Sequence, residues 1–181
     1  MRKNAKSVAF SARPASAALA WFAVLFAPLA AGCFTIGAKP SDAKSRTYTI
    51  GNPGTPWEPT EAGTMDVAYR AAADGATLSL NSVCDQYQKN SLEELRKSSL
   101  AGIGAEKRLS ERAVTVGGFP ALETIVVGEL DGAIFKLAHT VVRSPRCVYD
   151  LTLVSRPELY ASHEAAYAAF VASFHEEGGR S

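Results

Sequence analysis

Alternation of apolar and polar positions, read from residue 47 onward, predicts a strand-rich domain. Tyr48 and Ile50 alternate with Thr47 and Thr49 as a short first strand. Gly51-Asn52-Pro53-Gly54 and Pro56-Trp57-Glu58-Pro59 follow as a loop dense in turn residues. Met65, Val67 and Tyr69 share one face of a second strand, and Asp74-Gly75 marks a hairpin. The next strand puts Leu78, Leu80 and Cys84 on one face. Residues 107–116 make a weaker strand ending at Gly117-Gly118. Segments 121–130 and 133–142 flank Asp131-Gly132, the strongest hairpin signal in the chain. After a turn over 143–146, Cys147, Tyr149, Leu151 and Leu153 alternate with Asp150 and Thr152, which places Asp150 outward in solvent.

Two segments change period. Ser91-Leu92-Glu93-Glu94 is a capping box, in which the serine oxygen and the glutamate satisfy each other's helix-terminal N–H groups. Leu92, Leu95, Ser99 and Ile103 then follow helical spacing for about three turns. Pro157 opens a second helix with Tyr160, Tyr167, Phe170, Val171 and Phe174 as its apolar stripe. His163 and Glu164 interrupt that stripe, and Gly178-Gly179 ends it. Strands, a helix, a three-strand meander and a helix make an α+β sandwich with a mostly antiparallel sheet and two packed helices.

The first 46 residues are of another kind. Arg2, Lys3, Lys6 and Arg13 precede a stretch from Pro14 to Ala38 without a charge, and about 20 apolar residues are long enough to span a bilayer. A secretion signal shares that basic start but ends in small residues, and Leu29-Ala30-Ala31-Gly32-Cys33 does so. This segment resembles the lipobox of bacterial lipoproteins, departing from it in having Leu29 four positions before the cysteine instead of three. Pro28 breaks a helix just ahead of the cleavage point, which favours processing over an uncleaved anchor.

The resemblance implies that residues 1–32 are a removed signal peptide. Cys33 becomes the lipidated first residue, a membrane attachment that needs two or more acyl chains to hold. Phe34 in place of Asp after that cysteine points, by the same resemblance, to the outer membrane of a bacterial envelope, facing the periplasm. Residues 33–46 follow as the lipidated cysteine and a flexible tether reaching on the order of 20 Å, and residues 47–176 form a single globular domain.

Charge then changes sign. The chain carries 19 basic and 18 acidic residues, but all four basic groups ahead of Cys33 leave with the signal, so 15 stand against 18 and the mature net charge is −3. With no Lys/Arg block to match phosphate spacing, nucleic acid is excluded as an expected partner.

A second resemblance covers residues 46–176. The Pro56-Trp57 loop, the helix after Cys84, the Val116-Gly117-Gly118-Phe119-Pro120-Ala121 turn into a hairpin, and the closing amphipathic helix resemble the PsbP-like fold. That fold is named for an extrinsic subunit of photosystem II and also occurs in bacterial lipoproteins. It implies an αβα domain that binds protein partners, usually without catalysis.

Candidate chemistry is sparse. Cys84 and Cys147 are the thiols left after Cys33 is acylated. In an oxidising envelope they form a disulfide or stay as two buried free thiols, and their placement on apolar strand faces favours the disulfide. His139 shares a face with Phe135, Leu137 and Val141 as a core or edge histidine, while His163 and His175 lie twelve residues apart on the last helix. Neither His-Glu-x-x-His, Cys-x-x-Cys nor Gly-x-Ser-x-Gly occurs, so no catalytic residue, metal or cofactor is expected. Trp57 between two prolines is either tucked over a core edge or presented as a partner-binding anchor.

Three functions follow for testing. The first is a non-catalytic, lipid-anchored envelope module that docks a protein complex. The second is a small-ligand or lipid carrier with an apolar pocket between sheet and helices. The third is a hydrolase, which needs a histidine within hydrogen-bond reach of a serine or cysteine in a cleft.

Overall fold

The computed structural model describes residues 43–177. In chain order they form β1 (Tyr48–Thr49), β2 (Trp57–Pro59), β3 (Val67–Ala71), β4 (Thr77–Cys84), α1 (Leu92–Ser99) and β5 (Gly104–Val116). Then come β6 (Phe119–Leu130), β7 (Ala133–Arg143), β8 (Cys147–Ser155), α2 (Tyr160–Ala172) and β9 (His175–Glu176). Seven strands make one antiparallel sheet in the order β2-β3-β4-β8-β7-β6-β5, and β1 pairs with β9 in a small ribbon.

The turns carry much of this order. Asp131 and Gly132 hold φ of 50° and 80°, and Gly117 and Gly118 hold 58° and 88°. Paired positive φ values give the two-residue turn whose twist matches that of the strands it joins. The meander therefore runs through four strands, because β5, read from the sequence as a weaker strand over 107–116, pairs with β6 and starts at Gly104. The β5 signal is weak because it is a sheet edge: Glu106, Lys107, Arg108, Glu111 and Arg112 mask the apolar period, and register shifts near Lys107 and Arg108 bend it. Charge and bulges are common defences of an open edge.

Both faces of the central strands are covered. On one face Leu78, Leu80, Cys84, Cys147, Tyr149, Leu151 and Leu153 pack with Tyr160, Tyr167, Phe170 and Phe174 of the α2 segment. Each such buried side chain contributes about 1.5–3 kcal/mol. On the other face Leu95 of α1 meets Leu122, Val141 and Val148, while Leu100 meets Val126, Phe135 and Leu137. The result is the expected αβα sandwich. It also corrects the placement of Asp150: the face alternate to the main core lies beneath α1, so Asp150 is buried rather than solvated.

Helix boundaries shift too. The capping box at Ser91 and Glu94 forms, but α1 lasts eight residues, and Gly102 at φ 99° turns the chain toward β5. Residues 157–159 form a turn ahead of α2, with the Leu159 N–H donating to the Arg156 carbonyl at 3.1 Å. Buried Tyr160, His163, Tyr167 and Phe170 make one continuous row on α2, so His163 belongs to the stripe it was expected to interrupt. The helix ends at Ala172, ahead of β9, and the proposed stop at Gly178-Gly179 lies outside the described residues.

Candidate functional site

Three polar clusters punctuate the sandwich. The first lies where the amino-terminal segment meets the sheet. β3 pairs with β4 only as far as Leu80, which leaves the last residues of β4 with an open edge. Residues 43–45 fill it. The Ala43 carbonyl accepts from the Cys84 N–H at 2.8 Å, and the Ser45 N–H donates to Ser82 Oγ at 2.8 Å. Lys44 bonds Asp66 Oδ1 at 3.1 Å and donates to Asn81 Oδ1. Residues 43–45, assigned to the tether from the sequence, are thus docked on the fold.

Cys84 and Cys147 are register partners on β4 and β8, their Cα atoms 4.0 Å apart, and they are joined as a disulfide. Beside them Tyr149 donates to Glu176 Oε1 at 2.6 Å, Ser144 Oγ donates to the same oxygen at 3.1 Å, and Ser45 Oγ lies 2.8 Å from the phenol oxygen. Burial, then the Glu176 bond, raises the Tyr149 pKa well above its ordinary value, so the phenol stays a neutral donor. A groove of about 490 Å³ opens here, lined among others by Lys44, Arg46, Arg146, Asp85, Glu176 and Glu177. Its balanced charge favours neither anion nor cation.

The second cluster lies under α1. Thr124, His139, Thr152 and Ser79 stand in register across β6, β7, β8 and β4, a polar row inside the sandwich. Ser79 and Thr152 share a 2.6 Å hydrogen bond. Asp150 Oδ1 accepts from Ser99 Oγ at 2.8 Å and meets His139 Nε2 at 2.6 Å. With the carboxylate accepting, the imidazole proton sits on Nε2, and Nδ1 is a buried nitrogen without a partner. Arg96 continues the network to Glu106 and Glu111 at 3.2 and 3.1 Å. The carboxylate sits between serine and histidine, whereas a serine nucleophile needs the histidine beside it. Among the described residues the two cysteines, Cys84 and Cys147, are joined in the disulfide.

The third cluster holds Trp57. β2 sets Trp57 opposite Ala71, and the indole is 6% exposed, edge-on to His163 with ring centroids 5.2 Å apart. Trp57 is a core residue and does not present an anchor to solvent. His163 Nε2 lies 2.8 Å from Asp74 Oδ2, tying α2 to the β3–β4 turn. The Ala76 N–H, first, and the His163 contact hold the Asp74 carboxyl below its ordinary pKa.

His175 lies on β9 with its side chain exposed, apart from these clusters. No group of three or more His, Cys, Asp or Glu stands at metal-binding spacing among the described residues. Cys33 lies outside them. Sequence reasoning missed Asn81, Ser99 and Asp150 as partners in one region, because spacing along the chain carries no trace of strand register.

Neither a protein-family model nor a curated protein matches the sequence. Solved structures do. LpqN of Mycobacterium tuberculosis, described as involved in cell envelope biogenesis, superposes with a TM-score of 0.54 at 17% identity, covering 75% of this chain and 86% of that one. Cyanobacterial PsbP (CyanoP) of Synechocystis sp. PCC 6803 gives 0.52 at 11% identity over 76% of this chain and 99% of its own. The fold is PsbP-like. A protein of Bacteroides thetaiotaomicron VPI-5482 gives 0.51 at 11% identity, over 74% of this chain and 50% of that chain. At such identities the likeness is one of fold.

Proposed function

We propose that the chain is a non-catalytic, lipid-anchored envelope module that docks a protein partner near a membrane, the outer membrane by its Phe34. One observation carries docking over carriage. The space between sheet and α2, where an apolar ligand would lie, is filled by Leu78, Leu80, Tyr149 and Phe170, all fully buried. α2 packs over β8, and the same sheet face farther out carries partly buried Ile125 and Val127, with Ile134 62% exposed. The anchor supports a membrane location: Ala43 is pinned to the sheet ten residues on from Cys33, so the domain sits within about 35 Å of an acylated Cys33. The envelope role described for LpqN, which shares the fold, agrees with that location.

Mass spectrometry and crosslinking test the two halves separately. The mature wild type should carry a lipid on Cys33, whereas Cys33→Ala should accumulate as unprocessed precursor. A photo-crosslinker at Ile134 should give one discrete protein adduct from membranes. Wild type without lipid, or processing of Cys33→Ala at the same residue, would defeat the anchor. An Ile134 probe that captures nothing while the lipid is present would defeat the docking face.

A further inference from the structure

On the α1 side of the sheet a cleft of about 80 Å³ opens between α1, the end of β4 and the loop that follows it. Its floor is Asn81 and Asp150, register partners on β4 and β8, only 1% and 7% exposed. Val83, Val148 and Leu95 wall it. Tyr87 lines the cleft yet is 42% exposed, so its ring stands at the mouth. Asp85 and Tyr87 hold φ of 58° and 63°, a conformation that costs a non-glycine residue energy and here sets that ring in place.

The floor carries an unmet donor. The Lys44 ammonium has only hydrogens to offer, so the Asn81 atom it meets is the amide oxygen, and the amide orientation is fixed. Nδ2 is the opposite end, buried and without a partner. Native structures rarely leave such a donor unpaired. Next to it, both hydrogen bonds to Asp150 fall on Oδ1, which leaves Oδ2 for the cleft. A donor and an acceptor therefore stand side by side on the floor, between aliphatic walls and below an aromatic ring.

We propose that this cleft binds the neutral, hydroxyl-rich ring of a sugar. An anion would face the oxygens of Asp150, a cation would face the Asn81 N–H group, and a hydrocarbon would leave both unpaired. A hydroxyl group both donates and accepts. Two neighbouring hydroxyls satisfy Asp150 and Asn81 together, while the C–H face of the ring lies on Tyr87. The volume takes the hydroxyl-bearing edge of one ring. A primary amide offers the same donor and acceptor but no ring face for Tyr87, which makes acetamide the discriminating control. The proposal rests on neither the lipid nor the docking face.

The test is saturation-transfer NMR on the full chain in a sugar-free detergent. The probes are the methyl glycosides of glucose, galactose and mannose, and N-acetylglucosamine. At least one should bind saturably, with a Kd in the millimolar range. Asn81→Ala should weaken that binding about tenfold through loss of the buried donor. Tyr87→Gly, which suits the positive φ and leaves the core untouched, should weaken it by a similar factor. If Asn81→Ala unfolds by circular dichroism, Tyr87→Gly decides alone. No saturable binding by any probe, affinity unchanged in the folded variants, or equal competition by acetamide would overturn the proposal.

Discussion

Replacing Asp150 by Ala removes the one oxygen that two buried donors share. Ser99 Oγ at 2.8 Å and His139 Nε2 at 2.6 Å both point at Oδ1, and Ser99 and His139 are only 8% and 0% exposed. An orphaned buried donor costs about 1–3 kcal/mol, so two predict a loss of about 2–6 kcal/mol. Total stabilities run about 5–15 kcal/mol, which makes that a large share. In thermal terms a mid-range loss is a fall of about 10–15 °C in Tm for a domain of this size. Asp150→Asn keeps an oxygen where both donors need it and should cost less than about 1.5 kcal/mol. Urea melts of both variants, with equal m-values as a check, give the comparison. A double-mutant cycle with Ser99→Ala should return a coupling of about 0.5–3 kcal/mol. An Asp150→Ala loss below about 1 kcal/mol, or an Asn variant as damaged as the Ala variant, would refute the argument that shared hydrogen bonding holds this cluster.

Two further outcomes are open to measurement. Removing the disulfide with Cys84→Ala and Cys147→Ala frees a 63-residue separation in the unfolded chain, for which loop-closure entropy gives about 4 kcal/mol; an unchanged denaturation midpoint would contradict this. Asp74 has its folded pKa depressed below the ordinary 3.8 by the Ala76 N–H and by His163, so its stabilisation is present above that value and fades as pH falls through the lower folded one. The stability gap between wild type and Asp74→Asn should therefore be widest near neutral pH and shrink in acid, and a gap independent of pH would count against it.

What could be read from the chain alone was whatever depends on neighbours in sequence. Alternation located β4, β6, β7 and β8, Asp131-Gly132 located their tightest turn, and Ser91 with Glu94 located the start of α1. The two cysteines were placed on apolar faces correctly, and register then put them opposite one another. The misses share a cause. β9 is two residues long and is held by pairing with β1 across most of the chain, so it shows no period of its own. His163 looked like a break in the α2 stripe because its partner, Asp74, is 89 residues away. Trp57 was open to two readings, core edge or anchor, because its loop is rich in proline, and β2 settles it by turning the indole inward onto His163.

Asp150 shows what alternation omits: it separates two faces without saying which one is covered. Strand order supplies the answer. β4 sits inside the sheet beside β8, and β5 sits at the far edge, so the connection between them must cross β8, β7 and β6 on one face. Four strand spacings of about 4.8 Å make that crossing about 19 Å, while an eight-residue helix spans about 12 Å. The helix therefore covers β6 and β7 and leaves the β4 side to the irregular residues before it, where Asp85 and Tyr87 adopt left-handed φ values. Under the helix, Ser99 Oγ and His139 Nε2 find a partner in Asp150. Those at its margin, Asn81 and the second oxygen of Asp150, keep unmet capacity facing an opening. The cleft thus follows from a short helix on a long crossover, and lengthening α1 by one turn toward residue 88 should close it.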